Sequence, residues 1–250
     1  MRDRRHPLPS VPLARPRGVP GVPGRRAKGR PVPRVSNLDT AERLFVQQGA
    51  TALSNRRFGS VLDVADGTVS GHHFETKADL VRAITRRFTV GVESTRAGLL
   101  AQMDSSAGIR DWLGCLLHPW TDHFAQRSTT YFARVCAQAM ADPTLRAVIF
   151  EEARQSPTLR ATCDALDGYL PPMPEETAAQ RGDVVSQVIV QVCAEREAAV
   201  AAGTAGTGAS WRNMTVGLID MVAGIWTAPC TAVRLAERSA HRGAGLGERT

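Results

Sequence analysis

Residues 66–80 read DGTVSGHHFETKADL and join a short polar segment to the start of a long amphipathic helix. Thr76 is a good N-cap residue, so we expect the helix to begin just after it. The glycine-punctuated segment before His72 and His73 is too short for more than two helical turns. Three kinds of site would account for the two histidines: a metal site, a catalytic site with a histidine, or a nucleic-acid-binding surface. The apolar face of the following helix carries Leu80, Val81, Ile84 and Phe88.

Two further short helices are predicted before this stretch. The first begins near Leu38 and ends at Gly49, and Ser54 is the N-cap of the second. Three short helices joined by tight turns have the proportions of a helix-turn-helix unit, whose last helix lies in the major groove of DNA. The sequence therefore predicts a DNA-binding domain over residues 36–88.

The third short helix carries small and polar residues, which suit contact with base edges and phosphates. Glycine lets the backbone approach DNA closely, and the free N–H groups at a helix N-terminus favour a phosphate. The residues predicted to contact DNA are Ser54, Arg56, Arg57, Gly67, Thr68, Ser70, Gly71, His72, His73 and Lys77.

The metal and catalytic interpretations of the two histidines have little support. Adjacent residues on a helix point about 100° apart, and no cysteine lies at zinc-ligand spacing from His72 and His73. No nucleophile elbow or pair of carboxylates accompanies them. The sequence therefore predicts neither an enzyme nor a metal or cofactor site.

Nearly every segment after residue 105 also has helical periodicity, and no segment alternates apolar and polar residues as a strand does. Asp142 and Ser156 each precede a proline, which is a typical helix start. The chain is therefore predicted to be all-α, with a larger helical domain over residues 89–240. Its predicted helices span about residues 107–124, 129–141, 143–154, 157–168, 174–201 and 211–238.

The positive charge of the chain is concentrated near its start. Residues 1–36 hold ten Lys or Arg, one acidic residue and eight of the 15 prolines, which leaves 21 basic and 23 acidic residues elsewhere. We expect residues 1–35 to be a disordered basic tail, either attracting DNA phosphates or serving no such role, and residues 241–250 to be a flexible C-terminus. No apolar run suits a signal peptide or a membrane span, so a cytoplasmic protein is expected.

The segments AERLFVQQG (41–49) and HFETKADL (73–80) resemble the DNA-binding domain of the tetracycline-repressor (TetR) family of bacterial regulators. Three segments of the predicted larger helical domain are similar to actinobacterial members of this family, at residues 132–146, 156–160 and 218–226. The resemblance implies a homodimeric repressor that binds operator DNA. It also implies a small-molecule pocket in each body and release of the operator when an effector binds.

Two positions depart from the family pattern. Asp63 stands in the turn where the family usually has glycine, and Ser70 occupies a slot that is usually apolar. The alternative hypothesis is therefore a helical ligand-binding or interaction protein whose DNA-binding helix is degenerate.

Large side chains concentrate between residues 109 and 150. Most are expected to form ordinary core, and the resemblance implies that some line an apolar ligand cavity with few polar groups. The candidate polar groups are His118, His123, Tyr131, Gln138 and Cys115. Pro119 is expected to kink or break its helix and to free a carbonyl. The predicted pocket residues are Trp112, Cys115, Leu116, Trp120, Phe124, Tyr131 and Phe132.

The last two long helices carry wide apolar stripes, and Gly217 and Gly224 lie one heptad apart on the second. This pattern predicts a self-complementary four-helix dimer interface, with packing inside one protomer as the alternative. The predicted interface residues are Val188, Val192, Leu218, Met221, Val222, Ile225 and Trp226.

Overall fold

The helical periodicity of the sequence is realised in eight helices among the residues that the structure describes. The computed structural model describes residues 37–52, 74–127, 129–205 and 208–231, and no strand occurs in these ranges. The all-α prediction is therefore confirmed for the described residues. The helices are α1 (Asn37–Ala52), α2 (Lys77–Leu100), α3 (Ile109–Ala125), α4 (Phe132–Ala139), α5 (Pro143–Ala153), α6 (Pro157–Asp167), α7 (Glu175–Ala201) and α8 (Gly208–Thr227).

Three helix starts predicted from capping residues are confirmed. The Thr76 hydroxyl accepts the Asp79 N–H at 3.1 Å, and the Asp79 carboxylate accepts the Thr76 N–H at 3.1 Å, so the two residues cap α2 reciprocally. Asp142 caps α5 and Ser156 caps α6, each with proline as the first helical residue. Gly49 has a φ of 80° and interrupts the helical path of α1 where an end was predicted.

Two helix lengths differ from the prediction. Helix α2 continues to Leu100, so the predicted domain boundary after residue 88 falls in the middle of one helix. Helix α8 ends at Thr227 rather than at residue 238, and residues 228–230 are not helical. Pro229 accounts for this end, because it has no N–H and its ring clashes with the preceding helical turn.

Helix α2 occupies a central place in the fold. It contacts α1, α3, α4, α5 and α6, while α3 packs on α8 and α4 packs on α7. Phe45 of α1 is fully buried in the same apolar core as Phe88 of α2 and Phe124 of α3. Burial of one such ring stabilises the fold by roughly 1.5–3 kcal/mol, so α1 is firmly attached to the helices behind it. Among the described residues, no helix is both long and apolar enough to cross a membrane.

The proline inside α3 frees a carbonyl, as predicted, but the helix continues through it. Pro119 has no N–H for the carbonyl of Cys115, four residues earlier. The guanidinium of Arg96, on α2, donates a hydrogen bond from Nε to this oxygen at 3.2 Å. Arg96 is only 1% exposed, so this contact satisfies a buried acceptor that the helix itself cannot satisfy.

Candidate functional site

Charged side chains hold α1 against α2. Arg87 of α2 donates to Asp39 at 2.6 Å and to the buried carboxylate of Glu42. Burial raises the pKa of Glu42 to about 7, and the attraction of Arg87 opposes this rise. Gln138 of α4 donates to the backbone carbonyl of Val46 at 3.1 Å. The first helix of the predicted DNA-binding domain is therefore held at its position by polar contacts as well as by the core.

A cleft of about 1060 Å³ lies beside the contact between α1 and α2, and we call it the junction cleft. Residues of α1, of α2 and of the segment from the end of α3 to the start of α4 line it. One wall is aromatic: the rings of Phe88 and Phe132 are stacked, with centroids 3.7 Å apart, and Tyr131 lies next to them. The lining also includes the charged residues Asp39, Glu42, Arg43, Arg87 and Arg127.

His123 and Arg127 lie together at one end of the junction cleft. Arg127 Nη1 is 2.7 Å from Nδ1 of His123. Burial, with the charges of Arg127 and Arg87, lowers the pKa of His123 to about 4. The imidazole is therefore neutral at neutral pH and accepts a hydrogen bond from the guanidinium. The side chain of His123 leaves no free space at Gly91, where an added Cβ would lie 3.0 Å from Cε1.

A small recess of about 10 Å³ adjoins the junction cleft and shares Arg127, Thr129 and Thr130 with it. Glu197, which is 2% exposed, lies in the recess wall. Its Oε2 accepts hydrogen bonds from the backbone N–H and from Nε of Arg134, both at 3.0 Å. No described residue donates to its Oε1. The recess is about the size of one water molecule, so it does not admit a larger ligand.

The residues predicted to form the ligand pocket are divided between different places. Tyr131 and Phe132 line the junction cleft, and Phe124 lines the recess. Trp120 lies behind the aromatic wall, with its ring 5.0 Å from that of Phe88. The others, Trp112, Cys115 and Leu116, belong to α3 and line neither the cleft nor the recess.

Sequence reasoning named His123 as a polar candidate but missed the arginines of the junction cleft. A signal existed for Arg127, because it follows His123 by four residues and such pairs are neighbours on a helical path. No sequence signal indicated Arg87, because its partners on α1 are more than 40 residues away in the chain.

Comparison with known protein families finds a match within the larger helical domain. Residues 114–224 match the family model described as "Tetracyclin repressor-like, C-terminal domain". This match supports membership in the TetR family. The matched residues run from within α3 into α8 and include Tyr131 and Phe132 of the aromatic wall. No curated protein and no solved structure matches the chain significantly.

Members of the TetR family are transcription regulators rather than enzymes, and the match supports a ligand-binding domain at residues 114–224 of this chain. Most of the predicted DNA-contacting residues, from Ser54 to His73, lie outside the described residues. Lys77 is described: it is the first residue of α2 and is partly buried. Its position at a helix N-terminus agrees with the prediction, and its contact with DNA stays a prediction.

The predicted interface residues fall into two groups. Met221 is 47% exposed, and Val188, Val192, Ile225 and Trp226 are partly buried. Leu218 and Val222 are fully buried inside the protomer, which corrects their assignment as interface residues. They face the core because α8 packs on α3 through this side. The exposed apolar residues Val184 and Val216 were not in the predicted set.

Proposed function

We propose that this TetR-family protein is a homodimeric transcriptional repressor that binds operator DNA through residues 36–88 and is released by a small-molecule effector. Helix α2 carries most of the structural support. Lys77, at its N-terminus, belongs to the predicted DNA-binding domain, and Arg87 and Phe88 line the junction cleft. One helix thus connects the two proposed sites, and a ligand that favours one position of α2 would alter DNA affinity through it.

The proposed effector binds in the junction cleft rather than deep between the helices of the body. Tyr131 and Phe132 are the proposed contacts, with Phe124 and Trp120 behind them. Residues of α1 also line the cleft, so a bound molecule could touch both the predicted DNA-binding domain and the ligand-binding part of the chain. To convert a population that is 99% DNA-competent into one that is 1% competent, the effector must prefer the released state by about 5.5 kcal/mol.

The proposed dimer interface is the exposed face of α7 and α8. Val184 of α7 and Met221 of α8 are 48% and 47% exposed. Added Cβ atoms at Gly217 and Gly224 would meet nothing within 4 Å, so a second helix has room for close approach there. A two-fold arrangement of these two helices gives a four-helix interface, with a second DNA-binding domain for the other operator half-site.

The test uses the DNA directly upstream of the protein's own gene as the candidate operator. We expect two protomers per duplex by fluorescence anisotropy, and much weaker binding to a scrambled duplex of equal length. Equal affinity for both duplexes would contradict the proposal and favour a helical ligand-binding protein with a degenerate DNA-binding helix. The comparison must be made at one salt concentration, because phosphate contacts make all such affinities salt-dependent.

A further inference from the structure

The charges around the junction cleft do not balance. Arg87 is neutralised by Asp39 and Glu42, both of which it contacts directly. Arg43 and Arg127 also line the cleft, and neither pairs with a carboxylate of the described residues. With Glu42 ionised, three guanidinium groups and two carboxylates give the cleft lining a net charge of +1, and the guanidinium groups of Arg43 and Arg127 are the ones without a carboxylate partner among the described residues, so they favour an anion.

Arg127 is also held in place. Its Nη1 contacts the ring nitrogens of His123, and the His123 ring packs against Phe88 with centroids 4.9 Å apart and fills the space beside Gly91. A neutral imidazole orients the guanidinium without neutralising it. A guanidinium fixed in this way binds a carboxylate with two parallel hydrogen bonds, and little side-chain entropy is lost on binding.

The aromatic wall lies in the same cleft as Arg127. Tyr131, which is partly buried, and the stacked rings of Phe88 and Phe132 offer an apolar surface to a ligand. Aromatic side chains favour a planar, apolar partner. The recess beside Glu197 is too small for such a group, and its buried carboxylate would repel an anion, so the charged end of a ligand belongs at Arg127.

We propose that the junction cleft binds an aromatic carboxylic acid, with its carboxylate on Arg127 and Arg43 and its ring against Tyr131 and Phe132. The inference rests on the proposed function for its claim that this molecule is the effector. It explains how binding would reach the DNA-binding part: an anion near Arg87 competes with Asp39 and Glu42 for the arginine that holds α1 to α2.

The test uses the full chain and two probes that differ in one charge, 2-naphthoate and 2-naphthamide, in isothermal titration calorimetry. Trp120 lies against the aromatic wall, so its fluorescence gives a second readout. We expect the acid to bind at least ten-fold more tightly than the amide. Arg127→Gln should remove most of this difference by weakening the acid alone. Unchanged amide binding would show that the variant is folded.

The matched control is Arg154→Gln, because Arg154, like Arg127, is an exposed arginine within two residues of a helix C-terminus and does not line the cleft. Arg43→Gln is a second variant, expected to weaken the acid by a smaller factor. Absence of acid binding, equal affinity for acid and amide, or unchanged acid binding by Arg127→Gln would each overturn the inference.

The inference and the proposed function fail separately. Charge-selective binding of 2-naphthoate without any preference for operator DNA would contradict the proposed regulatory function and would still support an acid-binding site in the junction cleft. Operator binding without charge-selective binding of 2-naphthoate would contradict the proposed acid-binding site and would still support the proposed regulatory function.

Discussion

Arg96 on α2 donates a hydrogen bond to the carbonyl oxygen of Cys115 on α3, at 3.2 Å. This oxygen has lost its helical partner because residue 119 is proline. Arg96 also lies 3.9 Å from Glu93, which accepts the N–H of Thr158 at the start of α6. One buried guanidinium thus ties together three helices around a defect in α3.

Arg96→Met should destabilise the fold by about 1–3 kcal/mol, because a buried carbonyl loses its donor. In a Pro119→Ala background the same change should cost about 1 kcal/mol less, since alanine at this position has an N–H for the carbonyl of Cys115. Chemical denaturation of the four proteins in this cycle measures the coupling. Equal costs of Arg96→Met in both backgrounds would show that the carbonyl is not what Arg96 stabilises.

Glu42→Gln should alter how stability depends on pH. The pKa of Glu42 is about 7 in the folded protein against an ordinary value of 4.5. The folded state therefore keeps a proton that the unfolded chain releases, and the free energy of unfolding falls as pH rises from about 4.5 to about 7. Glutamine does not titrate, so wild type should lose up to about 3 kcal/mol relative to the variant across this window.

Thermal melts of both proteins between pH 4.5 and about 8 test this. Glu195→Gln, at an exposed position of α7, controls for the change in net charge. Parallel curves for wild type and Glu42→Gln would contradict a raised pKa in the folded state.

Local signals in the sequence were sufficient for the helices and their caps. Thr76, Asp142 and Ser156 cap the helices they were predicted to cap because capping depends only on residues within three positions. Pro229 was the local signal overlooked at the end of α8. The junction cleft was out of reach, because Arg87 meets Asp39 across 48 residues of chain and no periodicity encodes that distance. Helical periodicity placed Leu218 and Met221 on one apolar stripe, but only packing decides which of them faces the core.

Lys77→Ala should weaken binding to all DNA sequences by a similar factor and reduce the slope of log affinity against log salt by about one unit. Lys77 lies at the N-terminus of α2, where a phosphate is already favoured. Anisotropy titrations at several salt concentrations, with operator and scrambled duplexes, measure both effects. Arg160→Ala, at an exposed position on α6, should leave the slope unchanged. A loss confined to one base-pair position would show that Lys77 reads sequence rather than phosphate.

Met221→Asp should convert the proposed dimer to a monomer. Met221 is 47% exposed in the protomer, so a carboxylate there costs little unless a second protomer covers it. Two-fold symmetry then buries two charges, each at a cost of about 3–5 kcal/mol. Ile225→Asp is less decisive, because Ile225 is partly buried against the core and the change would also unfold a protomer.

Light scattering measures whether the variant is a monomer, and thermal melting measures whether its protomer is still stably folded. Val90→Asp is the matched control, because Val90 is an apolar residue on α2 that is 70% exposed. The Val90→Asp variant should stay dimeric with wild-type stability. Met221→Asp should melt like wild type when diluted to monomer, and its operator affinity should fall because the two half-sites are no longer held by one particle. A stable dimer of Met221→Asp would place the interface elsewhere than on α8.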